Sequence, residues 1–366
     1  MRRREFLMIS TAVPVAAVAG FRDGGGPLPP GWRAFELVTS VEVASPSGRT
    51  QLWLPVPMSA STDYQRLIGT HYDAPGAVRA QLVMVPGYDV QLLNVEWRDP
   101  AAVGRVMLTH HVATRDRRVD LAAAGRVSSA GGASESAGTL QKYLRATALL
   151  PTDGIVRATA ERICSGKHGE VDKARAIYEW VVENTTRDPQ TPGCGMGDVA
   201  SMLRSGYLGG KCADINALFV ALARSVDIPA RDAYGIRVAE SRLGYKCLGH
   251  SGDVSKAQHC RAEFYAQDLG WIPVDPADVR KLMLEEVPGG LSLADPRVRR
   301  ARAALFGSWE MNWVAYNHGH DVALPGSSGP AVPFLMYPNA QTGGEQVNSL
   351  DPTTFRYEIR AREEAA

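Results

Sequence analysis

GGKCADINALFVALARSVDIPAR, residues 209–231, is the stretch from which the rest of the chain can be ordered. Two glycines and Lys211 lead into Cys212. Apolar residues at Ile215, Leu218, Phe219, Leu222 and Val226 then recur at helical spacing until Pro229 ends the pattern. This predicts a helix that begins at Cys212. Residues 212, 215, 219 and 222 share its apolar face, so the sulfur points toward the packed side. At a helix start, unpaired N–H groups and the positive end of the macrodipole favour a thiolate, and the same N–H groups can donate to an oxyanion. A buried structural cysteine fits this helix equally well.

HCRAEFYAQDLGWIPVD, residues 259–275, reads as a β-hairpin. His259, Arg261 and Glu263 fall on one strand face, and Cys260, Ala262 and Phe264 on the other. A turn centred near Asp268 sets Arg261 opposite Asp275 and makes His259 the diagonal, same-face neighbour of Asp275. Such diagonals lie roughly 7 Å apart at Cβ, within reach of an imidazole–carboxylate bond. A thiol at a helix start with a His and an Asp on paired strands is the layout of a cysteine nucleophile and its oriented base. It points to acyl transfer or amide hydrolysis.

The 366 residues are enough for two domains, and a net charge of +1 gives no reason to expect a nucleic-acid partner. MRRREFLMISTAVPVAAVAGF opens the chain with Arg3-Arg4 before a short apolar run, which resembles a bacterial twin-arginine export signal. Ala17-Val18-Ala19 offers a cleavage site, so residues 1–19 are expected to be removed, with periplasmic or secreted localisation and no stable membrane span afterwards. The five cysteines (Cys164, Cys194, Cys212, Cys247 and Cys260) leave one thiol over if the others pair, and the sequence chooses neither partners nor pairing.

After a Gly/Pro linker, WRAFELVTSVEVAS, TQLWLPVP, AQLVMVPG, VQLLNVEW and RVMLTHHVATR alternate apolar and polar residues between turns, which predicts a β-sandwich over residues 32–125. A polar bridge, Val127 to Gly138, leads to helical periods in GIVRATAERIC, DKARAIYEWVVENTT and GDVASMLRSG. PFLMYP and FRYEIRA read as late strands that close a sheet edge. A second domain is therefore expected over residues 140–366, with its core at 150–280.

GKCADINALFVALARSVDIPAR, HCRAEFY and GWIPVDP together resemble the three signature segments of the transglutaminase-like superfamily, which includes transglutaminases and many bacterial cysteine peptidases or amidases. The similarity is strongest over residues 205–280 and resembles an exported bacterial branch with a preceding β domain. The resemblance implies an α+β, papain-like core of helices packed on an antiparallel sheet. It also implies Cys212 as nucleophile, His259 as general base and acid, and Asp275 as the group orienting the imidazole. The expected activity is hydrolysis of an amide bond in a peptide or protein substrate through an acyl-enzyme. A transglutaminase using an amine acceptor is the alternative, and a non-catalytic binding module on the same fold is a reading of another class. Where the family often has Ala-Trp after its histidine, this chain has Cys260-Arg261, which bears on substrate preference. Tyr207 is the local candidate for a side-chain oxyanion donor.

No cofactor is expected, and no metal. Cys247 with His250, and His318 with His320, lack the four convergent ligands at close spacing that zinc sites require.

Overall fold

The protein is described here from a computed structural model covering residues 28–88, 90–123 and 135–364. The export signal expected at residues 1–19 lies outside these residues, as does the polar bridge up to residue 134. No helix among the described residues is long and apolar enough to cross a membrane.

Strands fill the first third of the chain: β1 (Trp32–Val43), β2 (Thr50–Pro55), β3 (Gln65–Asp73), β4 (Arg79–Val85), β5 (Val90–Trp97), β6 (Val106–Arg115) and the short β7 (Arg117–Arg118). From Phe35 onward β1 alternates buried and half-buried residues, the pattern of a strand with one face on a core. β3 is a strand that the apolar alternation does not single out. Its pairing with β6 is interrupted by a register shift between Leu67 and Gly69.

Helices follow: α1 (Ala137–Lys142), α2 (Gly154–Ile163) and α3 (Gly169–Asn184), then β8 (Thr186–Arg187), α4 (Val199–Ser205) and β9 (Gly209–Gly210). α4 stops at Gly206, which adopts φ 71° in the left-handed region where a glycine is least strained. α5 (Cys212–Ser225) leads into β10 (Ala230–Arg237), β11 (Gly252–Asp253) and the hairpin β12 (Gln258–Ala266) and β13 (Gly270–Val274). Then come α6 (Pro276–Glu285), α7 (Pro296–Ala304), β14 (Ser308–Trp309), β15 (Trp313–Asn317), β16 (Asn339–Thr342), β17 (Glu345–Val347) and β18 (Phe355–Glu364).

The central sheet is antiparallel, in the order β13-β12-β10-β15, and α5 lies across β10 and β12. The stripe read from the sequence understates how deeply α5 is held: all its residues from Cys212 to Ser225 are buried. The sheet takes one side while α2, α3 and α4 cover the others. Even Arg224 is inside, donating to the carbonyls of Ala230 at 2.7 Å and Arg145 at 2.9 Å. Those acceptors answer part of its desolvation, and its Nη2 is buried without a partner.

The end of the chain returns to the beginning. β18 pairs with β1 from Ala34↔Glu364 to Val43↔Phe355, giving a sheet in the order β11-β18-β1-β6-β3. β16 pairs with β2 in a second sheet, β17-β16-β2-β5-β4. Val41, Leu52, Leu93, Val106, Ala340 and Phe355 meet in one apolar cluster between these sheets, so this is a sandwich. Of the two late strands expected, FRYEIRA lies within β18. PFLMYP is not a strand: Phe334 stacks on Tyr234 with ring centroids 4.8 Å apart, and pairing begins only at Asn339.

An ion cluster fastens the sandwich to the central sheet. Glu263 of β12 receives the Arg117 guanidinium from β7 and Arg231 Nε from β10 at 2.6 Å. Burial opposes ionisation of Glu263, but Arg117 and Arg231 overcome it and hold its pKa at about 2. Arg231 in turn lies 3.8 Å from the centroid of the Trp271 ring.

Candidate active site

Cys212 is the first residue of α5 and only 5% exposed. The helix start is braced by Asp214, whose Oδ1 accepts the N–H groups of Met196 at 3.0 Å and Gly197 at 2.9 Å, and whose Oδ2 accepts that of Lys211 at 3.0 Å. The Ala213 N–H donates to the Cys194 carbonyl at 2.9 Å. The turn at residues 194–197 is thereby locked onto the helix. Gly195 is required there: at φ +94°, a Cβ would stand 1.8 Å from Asp214 Oδ2.

β12 and β13 pair Ala262 with Val274 and Ala266 with Gly270, the register that the turn at Asp268 predicts. Continued by one step, it sets Arg261 opposite Asp275. His259 Nε2 lies 2.7 Å from Asp275 Oδ2, with the two side chains 2% and 0% exposed. It also lies 3.4 Å from Oδ1 of Asp278, a second carboxylate absent from the sequence reading. Arg237 of β10 donates to Asp278, and Arg261 Nε stands 3.7 Å from Asp275 Oδ2. Two buried cations thus balance two buried carboxylates around the imidazole.

The resulting electrostatics favour a charged pair. Burial and the Arg237 charge push His259 down, but Asp278 and Asp275 outweigh them and leave its pKa raised. Burial opposes ionisation of Asp278 too, yet Arg237, His259 and Arg261 hold it well below the usual carboxylate range. Hydrogen bonding with Cys194 and Cys260 pulls the Cys212 thiol well below its ordinary value, and His259 adds to this against burial. The thiols of Cys194 and Cys260 shift up instead. The two neighbouring thiols and then His259 thus favour the thiolate at Cys212, which stands at a helix start.

All five cysteines are unpaired thiols. Strand parity turns Cys260 away from the His259 face, as expected, but on that side it neighbours the Cys212 thiol. Asn216 was not singled out by the sequence reading, although it sits one helical turn after Cys212. Its amide donates to the Cys260 carbonyl at 2.8 Å and to Asp275 Oδ1 at 3.4 Å, tying helix, strand and carboxylate together. Trp313 Nε1 donates to the His259 carbonyl at 2.8 Å. Its ring fits only because residue 235 is glycine, where a Cβ would lie 2.6 Å from the indole.

Cys212 and His259 open onto a cleft of about 750 Å³, large enough for an extended peptide segment. Cys194 and Lys211 line it beside the thiol and Arg237 and Gln258 beside the imidazole, and Tyr337, Leu350 and Tyr357 join the lining from the C-terminal segment. Tyr207 is not among the lining residues. It is 60% exposed, and its hydroxyl donates to Asp188 Oδ2 at 2.8 Å. Arg261 is also outside the cleft, so its charge acts on Asp275. His318 Nδ1 donates to the Asp232 carbonyl at 2.9 Å and His320 Nε2 lies 3.1 Å from Asp232 Oδ2, and neither lines the cleft. His259, Asp275 and Asp278 bring ligand atoms within 4.8 Å of one another, but Arg237 and Arg261 already supply the positive charge there.

The sequence model of the transglutaminase-like superfamily matches residues 157–276, which contain Cys212, His259 and Asp275. A protein of Haemophilus influenzae, itself uncharacterized, is 35% identical over 337 residues, spanning 88% of this chain and 90% of its own. The chain carries a transglutaminase-like domain over residues 157–276. A solved structure of a candidate cysteine protease from Cytophaga hutchinsonii has the same fold, with a TM-score of 0.55 at 13% identity, covering 95% of this chain and 93% of that one. The periplasmic domain of TgpA from Pseudomonas aeruginosa is also similar, with a TM-score of 0.36 at 15% identity over 71% of this chain and 92% of that one. Within the superfamily, the helices packed on an antiparallel sheet behind a β-rich region are the α+β architecture that the three sequence segments imply.

Proposed function

We propose that this protein is an exported cysteine hydrolase that cleaves an amide bond in a peptide or protein, with Cys212 as nucleophile, His259 as general acid and base, and Asp275 as the orienting carboxylate. The observation that carries the reading is the buried His259–Asp275 contact of 2.7 Å beside a thiol whose pKa is pulled well down. With Nε2 held by Asp275, Nδ1 is the nitrogen left to serve the sulfur.

The Cys212 thiolate attacks the carbonyl carbon, and the oxyanion draws on the N–H groups at the start of α5. His259 passes its proton to the departing amine as the C–N bond breaks. Water then adds to the thioester, giving a proton to His259, and the thiolate leaves. An amine replacing that water would give the transglutaminase outcome. Hydrolysis is preferred because water is always present outside the cell and, among the described residues, no carboxylate lines the cleft to hold an amine.

The same proposal places the export signal at residues 1–19, through Arg3-Arg4, a sandwich at 32–125 and the catalytic region at 140–366. That last region lends β16, β17 and β18 to the sandwich sheets. Incubating the protein with a peptide library and a primary amine, followed by mass spectrometry, tests the reaction. Cleaved peptides that disappear with Cys212→Ala are expected. Cross-linked amine products would favour transamidation, and unchanged activity in Cys212→Ala would overturn the nucleophile.

A further inference from the structure

The cleft that holds Cys212 has a one-sided charge. Arg187, Lys211, Arg237, Lys256, Lys281 and Arg356 line it, and among the described residues no Asp or Glu does. The chain as a whole carries only +1, so this is a local concentration rather than a basic protein seen in one place. Three of the six are already answered. Arg187 and Lys281 share Glu285, and Arg237 holds Asp278. Lys211, Lys256 and Arg356 form no ion pair among the described residues.

These three come from separate parts of the fold: the residue before α5, the loop before β12, and the start of β18. All three line the same cleft. Asp188 is the carboxylate that feels Lys211 most directly, and it lies outside the lining. Arg356 Nε is turned to the Pro352 carbonyl at 3.2 Å, which leaves the rest of its guanidinium for a ligand.

A second observation points the same way. Gln258 is 7% exposed and lines the cleft, yet its Nε2 has no hydrogen-bond partner, and neither has Nε of the buried Arg237. Buried N–H donors are ordinarily satisfied. Two unsatisfied donors beside the reacting centre, behind three unpaired cations, match an oxygen-rich anion.

We propose that the cleft selects an acyl donor bearing carboxylates, an acidic peptide whose anionic groups meet Lys211, Lys256 and Arg356 while its carbonyl meets Cys212. The inference rests on the hydrolase reading for the carbonyl, and on the charge of the cleft for the carboxylates. Thiolate attack requires an acyl group, and among acyl compounds the peptides supply carboxylates both at Asp and Glu side chains and at a free C-terminus.

The test separates these sources and separates binding from chemistry. Labelled peptides are titrated by fluorescence anisotropy against Cys212→Ala: an Asp/Glu-rich peptide, its C-terminally amidated form, its Asn/Gln counterpart, and a Lys-rich peptide. The acidic peptide is expected to bind at least about tenfold tighter than the Asn/Gln counterpart, an advantage that shrinks with added salt. The double charge reversal Lys256→Glu with Arg356→Glu, at exposed positions that leave the core intact, should remove that preference, with circular dichroism verifying the fold. Loss on amidation assigns the site to a terminal carboxylate, and retention assigns it to side chains. Equal binding of the acidic peptide and its Asn/Gln counterpart overturns the proposal. A preference for the acidic peptide that the wild-type protein binds but never cleaves keeps the anion site and instead removes the hydrolase reading.

Discussion

Asp275 Oδ1 accepts the backbone N–H of Asp278 at 3.0 Å, so the carboxylate that faces His259 is also the N-terminal cap of α6. Removing it should therefore cost both stability and chemistry, and the two losses can be separated. Asp275→Ala deletes the cap, at about 1 kcal/mol, and Asp275→Asn keeps an acceptor for it. Both lose the charge that orients the imidazole, so kcat/KM should fall by about 10²–10⁴ in each. Denaturant midpoints should show the alanine variant less stable than the asparagine one. Equal midpoints would mean that the cap contributes nothing.

The pH dependence follows from the opposite shifts of the pair. Cys212 ionises below the ordinary thiol value and His259 keeps its proton above the ordinary imidazole value. Activity should rise on the acid side as the thiolate forms and fall on the alkaline side as the imidazolium is lost, with both limbs belonging to the coupled pair. Iodoacetamide should label Cys212 well below the pH at which an ordinary thiol reacts, and ahead of the other four cysteines. His259→Ala should move that labelling curve upward.

Cys194 is the largest influence holding the Cys212 thiol down. Cys194→Ala removes this hydrogen-bonding neighbour without altering the backbone carbonyl that receives Ala213. The expected result is a Cys212 labelling profile displaced to higher pH, with a thermal midpoint close to wild type. An unmoved profile would assign the low thiol pKa to the helix start and His259 alone.

Glu263 offers a stability test remote from the chemistry. Glu263→Gln leaves Arg117 and Arg231 buried without their carboxylate and should destabilise the fold by about 3–5 kcal/mol. In the wild type the folded-state pKa of about 2 lies below the ordinary glutamate value of 4.5. Its contribution is therefore complete above pH 4.5 and is lost as pH falls toward 2. Denaturant melts across that window should show a decline that is absent from the glutamine variant.

The site was legible in the sequence where local rules determine geometry. Gly209-Gly210-Lys211 and Pro229 bound α5, and the turn at Asp268 fixes strand parity, so His259 and Asp275 fall on one face before any tertiary contact is known. Parity says which way Cys260 points but not what waits there, and the answer is the Cys212 sulfur. Asp278 and Arg237 escaped for the same reason: each reads as a polar residue at a helix or strand end until burial brings them together. Tyr207 shows the converse. A tyrosine in the turn before Cys212 reads as placed for an oxyanion, but its exposed hydroxyl donates to Asp188. FRYEIRA marks β18 as a strand at a sheet edge, but that its partner is β1 has no local signature, because the two are some three hundred residues apart.

That return also decides what part of the cleft hangs on. Tyr337, Leu350 and Tyr357 line the cleft, and β18, which carries Tyr357, is held against β1 from Ala34 to Val43. Cys212, His259 and Asp275 sit on α5 and the hairpin, while this stretch of lining depends on a pairing between distant parts of the chain. Loosening the β1–β18 seam would therefore reshape the cleft and leave the three side chains at its floor in place.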